Sequence, residues 1–344
     1  MTRTAPTRRA RPTGRARARV LAAIALVVLL ALACAGSLVF GSREVALADA
    51  LAALLDPQLS DIGSIAVRER IPRTVLAVMA GAALGLSGAL LQAVTRNPLA
   101  EPGILGVNTG ASLAVVCGIA FFGASTGQHF LVLALIGAAL TAVLVFAIGG
   151  VGTGGATPVR LALAGAATTA ALSSLVSAVL LPRLQAMEEF RFWQVGDVSR
   201  AQWDVMLTVA PVIGIAALVG LVVAPLLDVL ALGDDVARGL GVSATGVRVL
   251  GAGAGIALGG AAHAAAGPIA FVGLAVPHVL RILVGSSQRW LLPLSMLGGA
   301  TLLVAADLVG RVVARPAELE SGIVTAIVGA PVLVLVAMRM RGRQ

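Results

Sequence analysis

Ser87 stands in Gly85-Leu86-Ser87-Gly88, a Gly-x-Ser-Gly spacing in which a membrane-buried hydroxyl is activated by a histidine from another helix, and His263 or His278 would be that base. A four-residue match in a chain this rich in small residues is weak, and close helix packing is the plainer role for these positions. Metal and redox chemistry have less to draw on. Cys34 and Cys117 both fall in apolar runs and are too few for a metal or disulfide framework, so no resident metal or cofactor is expected. Ala31-Leu32-Ala33-Cys34 follows a basic region and an apolar stretch, as a lipoprotein processing site does. Its leucine is one place off, however, and the apolar run continues to Phe40. An ion relay needs ionisable groups at mid-membrane, where each costs roughly 2.5 to 3.5 kcal/mol. Asp307 and Arg311, one helical turn apart, lie instead near the end of their apolar run.

Three other patterns carry polar chemistry. Arg70-Ile71-Pro72-Arg73 opens a charge-free run, 74–95, and that run exits into Arg96-Asn97-Pro98-Leu99-Ala100-Glu101-Pro102-Gly103-Ile104-Leu105-Gly106. Prolines without amide donors and loosened glycines suit such a backbone to a protein-buried or polar boundary rather than to lipid. Gly165, Thr169, Ser173 and Ser177 recur every fourth residue, so they share one helix face. That face either bonds back to its own helix or forms a mildly polar, non-sticky wall of a conduit. Asp234-Asp235-Val236-Ala237-Arg238-Gly239 reads as a short helix with acids at its positive start and Gly239 or Gly241 at its end. It is either a connector or a segment for a partner's groove to grip.

The elements that must position these residues are membrane spans. The chain has 344 residues, is 58% hydrophobic and 12% charged, and has a mean hydropathy of +0.99. Charge-free runs of spanning length cover 20–42, 74–95, 161–182, 205–227 and 321–338; 102–159 and 249–280 each split into two, and 290–313 makes the tenth. Runs of about 20 apolar residues cross a bilayer. An all-α polytopic membrane protein with about ten transmembrane helices is expected, in one transmembrane domain, 20–344, behind a basic tail, 1–19. Arg3, Arg8, Arg9, Arg11, Arg15, Arg17 and Arg19 precede the first run with no acid among them, and Arg339, Arg341 and Arg343 close the chain, which places both termini in the cytoplasm. The net charge of +9 is thus a topology signal, and nucleic acid is not an expected partner. Four spans on each side of a single central one give an inverted-repeat arrangement. Trp193 and Trp203 would mark one interface and Trp290 the other. The sequence contains no lysine, so it has no phosphate-binding Gly-x-x-x-x-Gly-Lys-Ser/Thr loop, and any ATP that drives it is hydrolysed by another chain.

Six co-linear blocks then carry a resemblance. They are Arg70 to Arg73; Asn97 to Gly106; Phe192-Trp193-Gln194-Val195-Gly196 with Trp203; Leu232 to Gly241; Gly267-Pro268-Ile269-Ala270-Phe271-Val272-Gly273-Leu274 with Pro277, His278 and Arg281; and Glu318 to Pro331. In these blocks the chain resembles the permease family of ATP-binding-cassette importers for iron-siderophores, haem and cobalamin. The resemblance implies a permease, not itself an enzyme, in the cytoplasmic membrane of a bacterium. Its implied partners are a second permease subunit, identical or related, two cytoplasmic ATP-binding subunits, an extracytoplasmic substrate-binding protein and membrane lipid. It implies that Arg70, Arg73 and Arg311 meet acids of the binding protein, that Asp234, Asp235, Val236, Ala237, Arg238 and Gly239 dock on the ATPase, and that Thr169, Ser173 and Ser177 line the translocation path. An iron-siderophore is the expected cargo, haem or cobalamin the alternative within the family, and an ion-coupled carrier the alternative outside it. The arginine tail is not explained by the resemblance.

Overall fold

The computed structural model describes residues 13–41, 62–151 and 158–341. Arg3, Arg8, Arg9, Arg11 and Arg343 lie outside them, as do the side chains of Phe192 and Trp193. Among the described residues every regular element is a helix: α1 Thr13–Val39, α2 Ile62–Thr95, a 3-10 turn Pro102–Leu105, α3 Val107–Phe122, α4 Gly127–Gly150, α5 Pro158–Leu180, α6 Leu184–Gln194, α7 Trp203–Leu230, α8 Asp234–Gly239, α9 Ala244–Ala266, α10 Val272–Val284, α11 Gln288–Val313 and α12 Ser321–Arg341. Seven of these are long and apolar enough to cross a membrane: α1, α2, α4, α5, α7, α9 and α11. Three shorter apolar helices, α3, α10 and the first part of α12, accompany them. The long charge-free stretches break where a glycine adopts positive φ, at Gly123 and Gly267.

The core forms around α2, whose 34 residues extend about 51 Å at the α-helical rise. It is the most buried of the spanning helices, whereas α1 is almost bare. Glycines explain why α2 sits at the centre. A Cβ on Gly81 or Gly85 would strike the backbone of α11 at Gly299 and Ser295, and one on Gly255 or Gly259 would strike Leu91, Pro102 and Ser87. Without a hydrophobic drive between helices in lipid, such close approach supplies the packing. The two glycine stripes therefore pack within this one chain. The Gly85-Leu86-Ser87-Gly88 turn is part of that interior, with Ser87 donating to the Gly255 carbonyl at 2.5 Å. His263 Nε2 meets the Ile269 carbonyl at 3.2 Å, and Ser87 gives its proton to a backbone carbonyl rather than to His263.

Three helices fix two opposite ends of the bundle. Along α1, α2 and α11, Ser37, Arg73 and Asp307 gather at one end, while Arg19, Arg96 and Trp290 lie at the other. Trp203 opens α7 at the Arg73 end, and Leu230 closes it beside Arg96. α12 starts at the Arg73 end, where the Gly322 amide donates to the Gly196 carbonyl at 3.1 Å.

Candidate functional site

At one end Asp307 of α11 is enclosed by two arginines. Arg73 turns the edge of its guanidinium on Oδ1, with Nε at 2.8 Å and Nη2 at 2.7 Å, while its Nη1 donates to Glu318 Oε2 at 2.6 Å. Arg311, one turn along α11, places Nη2 2.8 Å from Asp307 Oδ2. The same guanidinium donates to Ser37 Oγ at 2.6 Å and to the Ser37 carbonyl at 3.0 Å. Arg70 donates to the carbonyls of Leu38 and Val39 at 2.9 and 2.8 Å. The last turn of α1 leaves carbonyls without helical partners, and cations at that negative pole satisfy them. The cluster therefore ties α1, α2, α11 and the segment before α12 together.

The three arginines named from the sequence for binding-protein docking are all drawn into this cluster. Arg70, Arg73 and Arg311 are 7%, 8% and 1% exposed, and each holds internal partners. Glu318, with a third of its side chain exposed, is the most accessible acid paired in the group. The reason is tertiary: Asp307 lies 234 positions from Arg73, and only the packing of α2 on α11 brings the two together.

At the other end the pattern recurs in the open. Asp234, first residue of α8, receives Arg96 from the end of α2 and Arg248 from α9, each at 2.8 Å on Oδ1. Arg96 also donates to the Leu230 carbonyl at 2.5 Å. Burial raises the Asp234 pKa, but the two arginines outweigh it and hold the carboxyl below its usual value. Asp234 makes no side-chain cap to its own helix; it tethers the helix instead. Within α8 only Ala237 is buried, while Val236 and the flanking Leu232 and Leu240 are bare. Asp235 and Arg238 pair with each other at 3.0 Å in full view of solvent. Gly239 has ordinary φ and open space around it, and the left-handed residue that turns the chain is Gly241.

Between the ends, Thr169 of α5 faces Gly106, where a Cβ would come within 3.2 Å of its Oγ1. Ser173 and Ser177 are exposed, and Ser177 bonds back to the Ser173 carbonyl at 3.1 Å. Glu101, to which sequence reasoning gave no role, precedes the 3-10 turn and sits half-buried. Burial pushes its carboxyl up to about 7, against the opposing effect of the Phe271 amide. Phe271 has φ 69°, a left-handed conformation for a bulky residue. Only the fold brings this amide to Glu101; Pro102 and Gly103 were the local signal of an irregular backbone there.

The model of the FecCD transport family matches residues 26–339. Over 325 residues the chain is 41% identical to the ferric enterobactin transport system permease protein FepD of Escherichia coli, covering 94% of this chain and 97% of that one. It is 36% identical to the hemin transport system permease protein HmuU of Yersinia pestis over 277 residues, 79% of this chain and 82% of that one. Among solved structures, a metal-chelate type ABC transporter in an inward-facing conformation superimposes with a TM-score of 0.80 at 28% identity, covering 93% of this chain and 99% of that chain.

Proposed function

The chain belongs to the FecCD transport family, and on that premise we propose that it is the membrane-spanning permease subunit of an ATP-binding-cassette importer for ferric siderophores. In this reading it lies in the bacterial cytoplasmic membrane with ten crossings and both termini inside. It pairs with a second permease subunit, receives cargo from an extracytoplasmic binding protein and is driven by two separate ATP-binding subunits. The observation that carries the proposal is α8, a short helix that bares Val236, Leu232 and Leu240 while Asp234 pins it to α2 and α9. A bare apolar helix fixed to the core can take up a partner's groove and pass its movement on.

Docking of the binding protein falls, on this reading, at the Arg73 end. Arg70, Arg73 and Arg311 serve it by holding the rim in shape, and Glu318 is the group an incoming acid would displace from Arg73. Thr169, Ser173 and Ser177 line the path on the lightly covered face of α5. Reconstitution tests the proposal. Proteoliposomes holding the permease and its ATPase should accumulate a ferric siderophore with ATP and binding protein, and should not do so with a proton or sodium gradient alone. Gradient-driven uptake without the ATPase would replace the proposal with a secondary carrier.

A further inference from the structure

We propose that the Asp234 end of the bundle carries a site for an anionic phospholipid headgroup, built where the start of α1 meets the turn between α10 and α11. Arg19 is its centre. The Arg19 Nε donates to the Val284 carbonyl at the end of α10, at 3.2 Å, and the guanidinium carbon lies 6.0 Å from the centre of the Trp290 ring. Neither contact uses the Nη donors, which have no partner among the described residues. Arg17 and Arg289, both exposed, likewise have no acidic partner there. Asp228 is the acid at this turn, and it is committed to capping α11, accepting from the Gln288 amide at 2.6 Å and from Ser287 Oγ at 3.1 Å. Arg281 turns inward to Gln92 at 2.9 Å.

Unpaired cations and bare apolar surface occur together here. Leu21, Ile282 and Leu283 are each at least 60% exposed, and Trp290 is 37% exposed. A phosphate on the arginines with acyl chains along those side chains satisfies both halves of the surface; a free phosphate lacks the chains, and a zwitterionic headgroup brings a cation back among the arginines. Basic pockets at helix ends on the cytoplasmic side favour anionic headgroups, and tryptophan favours the same depth. Residues 1–19 contain seven arginines and no acid, so that stretch supplies no carboxylate to compete for Arg17 or Arg19. The lipid site does not depend on which cargo the permease moves.

Trp290 supplies the reporter. In a permease carrying Trp193→Phe and Trp203→Phe, Trp290 fluorescence is measured in phosphatidylcholine bilayers containing a minor fraction of brominated phosphatidylglycerol, and in the reverse arrangement with brominated phosphatidylcholine. The anionic lipid should be enriched at Trp290 about fivefold over its bulk fraction, the scale expected of one arginine at an anionic surface. Arg19→Gln should reduce that enrichment, and so should Arg289→Gln, which breaks no ion pair among the described residues. Quenching that follows bulk composition for both lipids in the unsubstituted arginine background overturns the proposal without reference to any variant. Enrichment that survives both substitutions overturns it as well.

Discussion

Each end of the bundle holds an aspartate between two arginines at nearly the same distances, and the two arrangements do different work. Asp307, between Arg73 and Arg311, is 1% exposed, whereas Asp234, between Arg96 and Arg248, is 30% exposed. A buried ion pair costs several kcal/mol per charge to desolvate and survives because every charge has a partner. An exposed one is screened by water and contributes about 0 to 1 kcal/mol. The Arg73 end is therefore a clasp, in which removal of Arg73, Asp307 or Arg311 unbalances buried charge. The Asp234 end is a tether, whose partly exposed pairs join α8 to α2 and α9. Geometry of the pair alone does not separate the roles; burial does.

The contrast breaks most visibly at Arg311. Arg311→Ala should leave buried Asp307 with Arg73 alone and cost up to about 3 to 5 kcal/mol, seen as a lower melting temperature in detergent and a lower yield of inserted protein. Reversal to Glu should be worse, so Arg311→Glu is a stability variant before it is a docking variant. Replacing Asp307 and Arg311 together with apolar residues of similar size should cost less than replacing either alone. Asp234→Ala should leave melting within about 1 kcal/mol of the parent while reducing ATP-driven uptake severalfold, because α8 loses both of its tethers. A large stability loss there would erase the distinction between the ends. A smaller effect concerns Glu101. Its carboxyl is shifted from 4.5 to about 7 in the fold, so the native protein holds a proton that the unfolded chain releases. Stability from that proton is fully present below about 4.5 and is lost as pH rises to about 7. Glu101→Gln should flatten the dependence of melting temperature on pH across that window.

The helices were readable because spans are long, apolar and punctuated by glycine and proline. The breaks near Gly123 and Gly267 fall where turn residues interrupt charge-free sequence. The short α8 was readable too, from two acids ahead of two glycines. Its tether was not, because Arg96 and Arg248 reach Asp234 from 138 and 14 positions away. The burial of Arg70, Arg73 and Arg311 was hidden for the same reason: arginines at a span's end read as surface charge until a partner acid on another helix is known. Glu101 was hidden in a different way. A lone carboxylate in a loop carries no pattern, and its shift depends on its burial within the fold.

The central claim is that α8 transmits the ATPase stroke while the clasp only holds the frame, and Gly239→Trp tests it most directly. Among the described residues nothing lies within 4 Å of a Cβ at Gly239, and its backbone conformation suits any residue. The variant should thus insert and melt like the parent, and any loss arises at a partner's surface. The measurement is ATP-driven uptake of a ferric siderophore by proteoliposomes containing the variant permease, its ATPase and its binding protein. The account predicts uptake at background with melting unchanged. Normal uptake by a correctly inserted Gly239→Trp permease would contradict it.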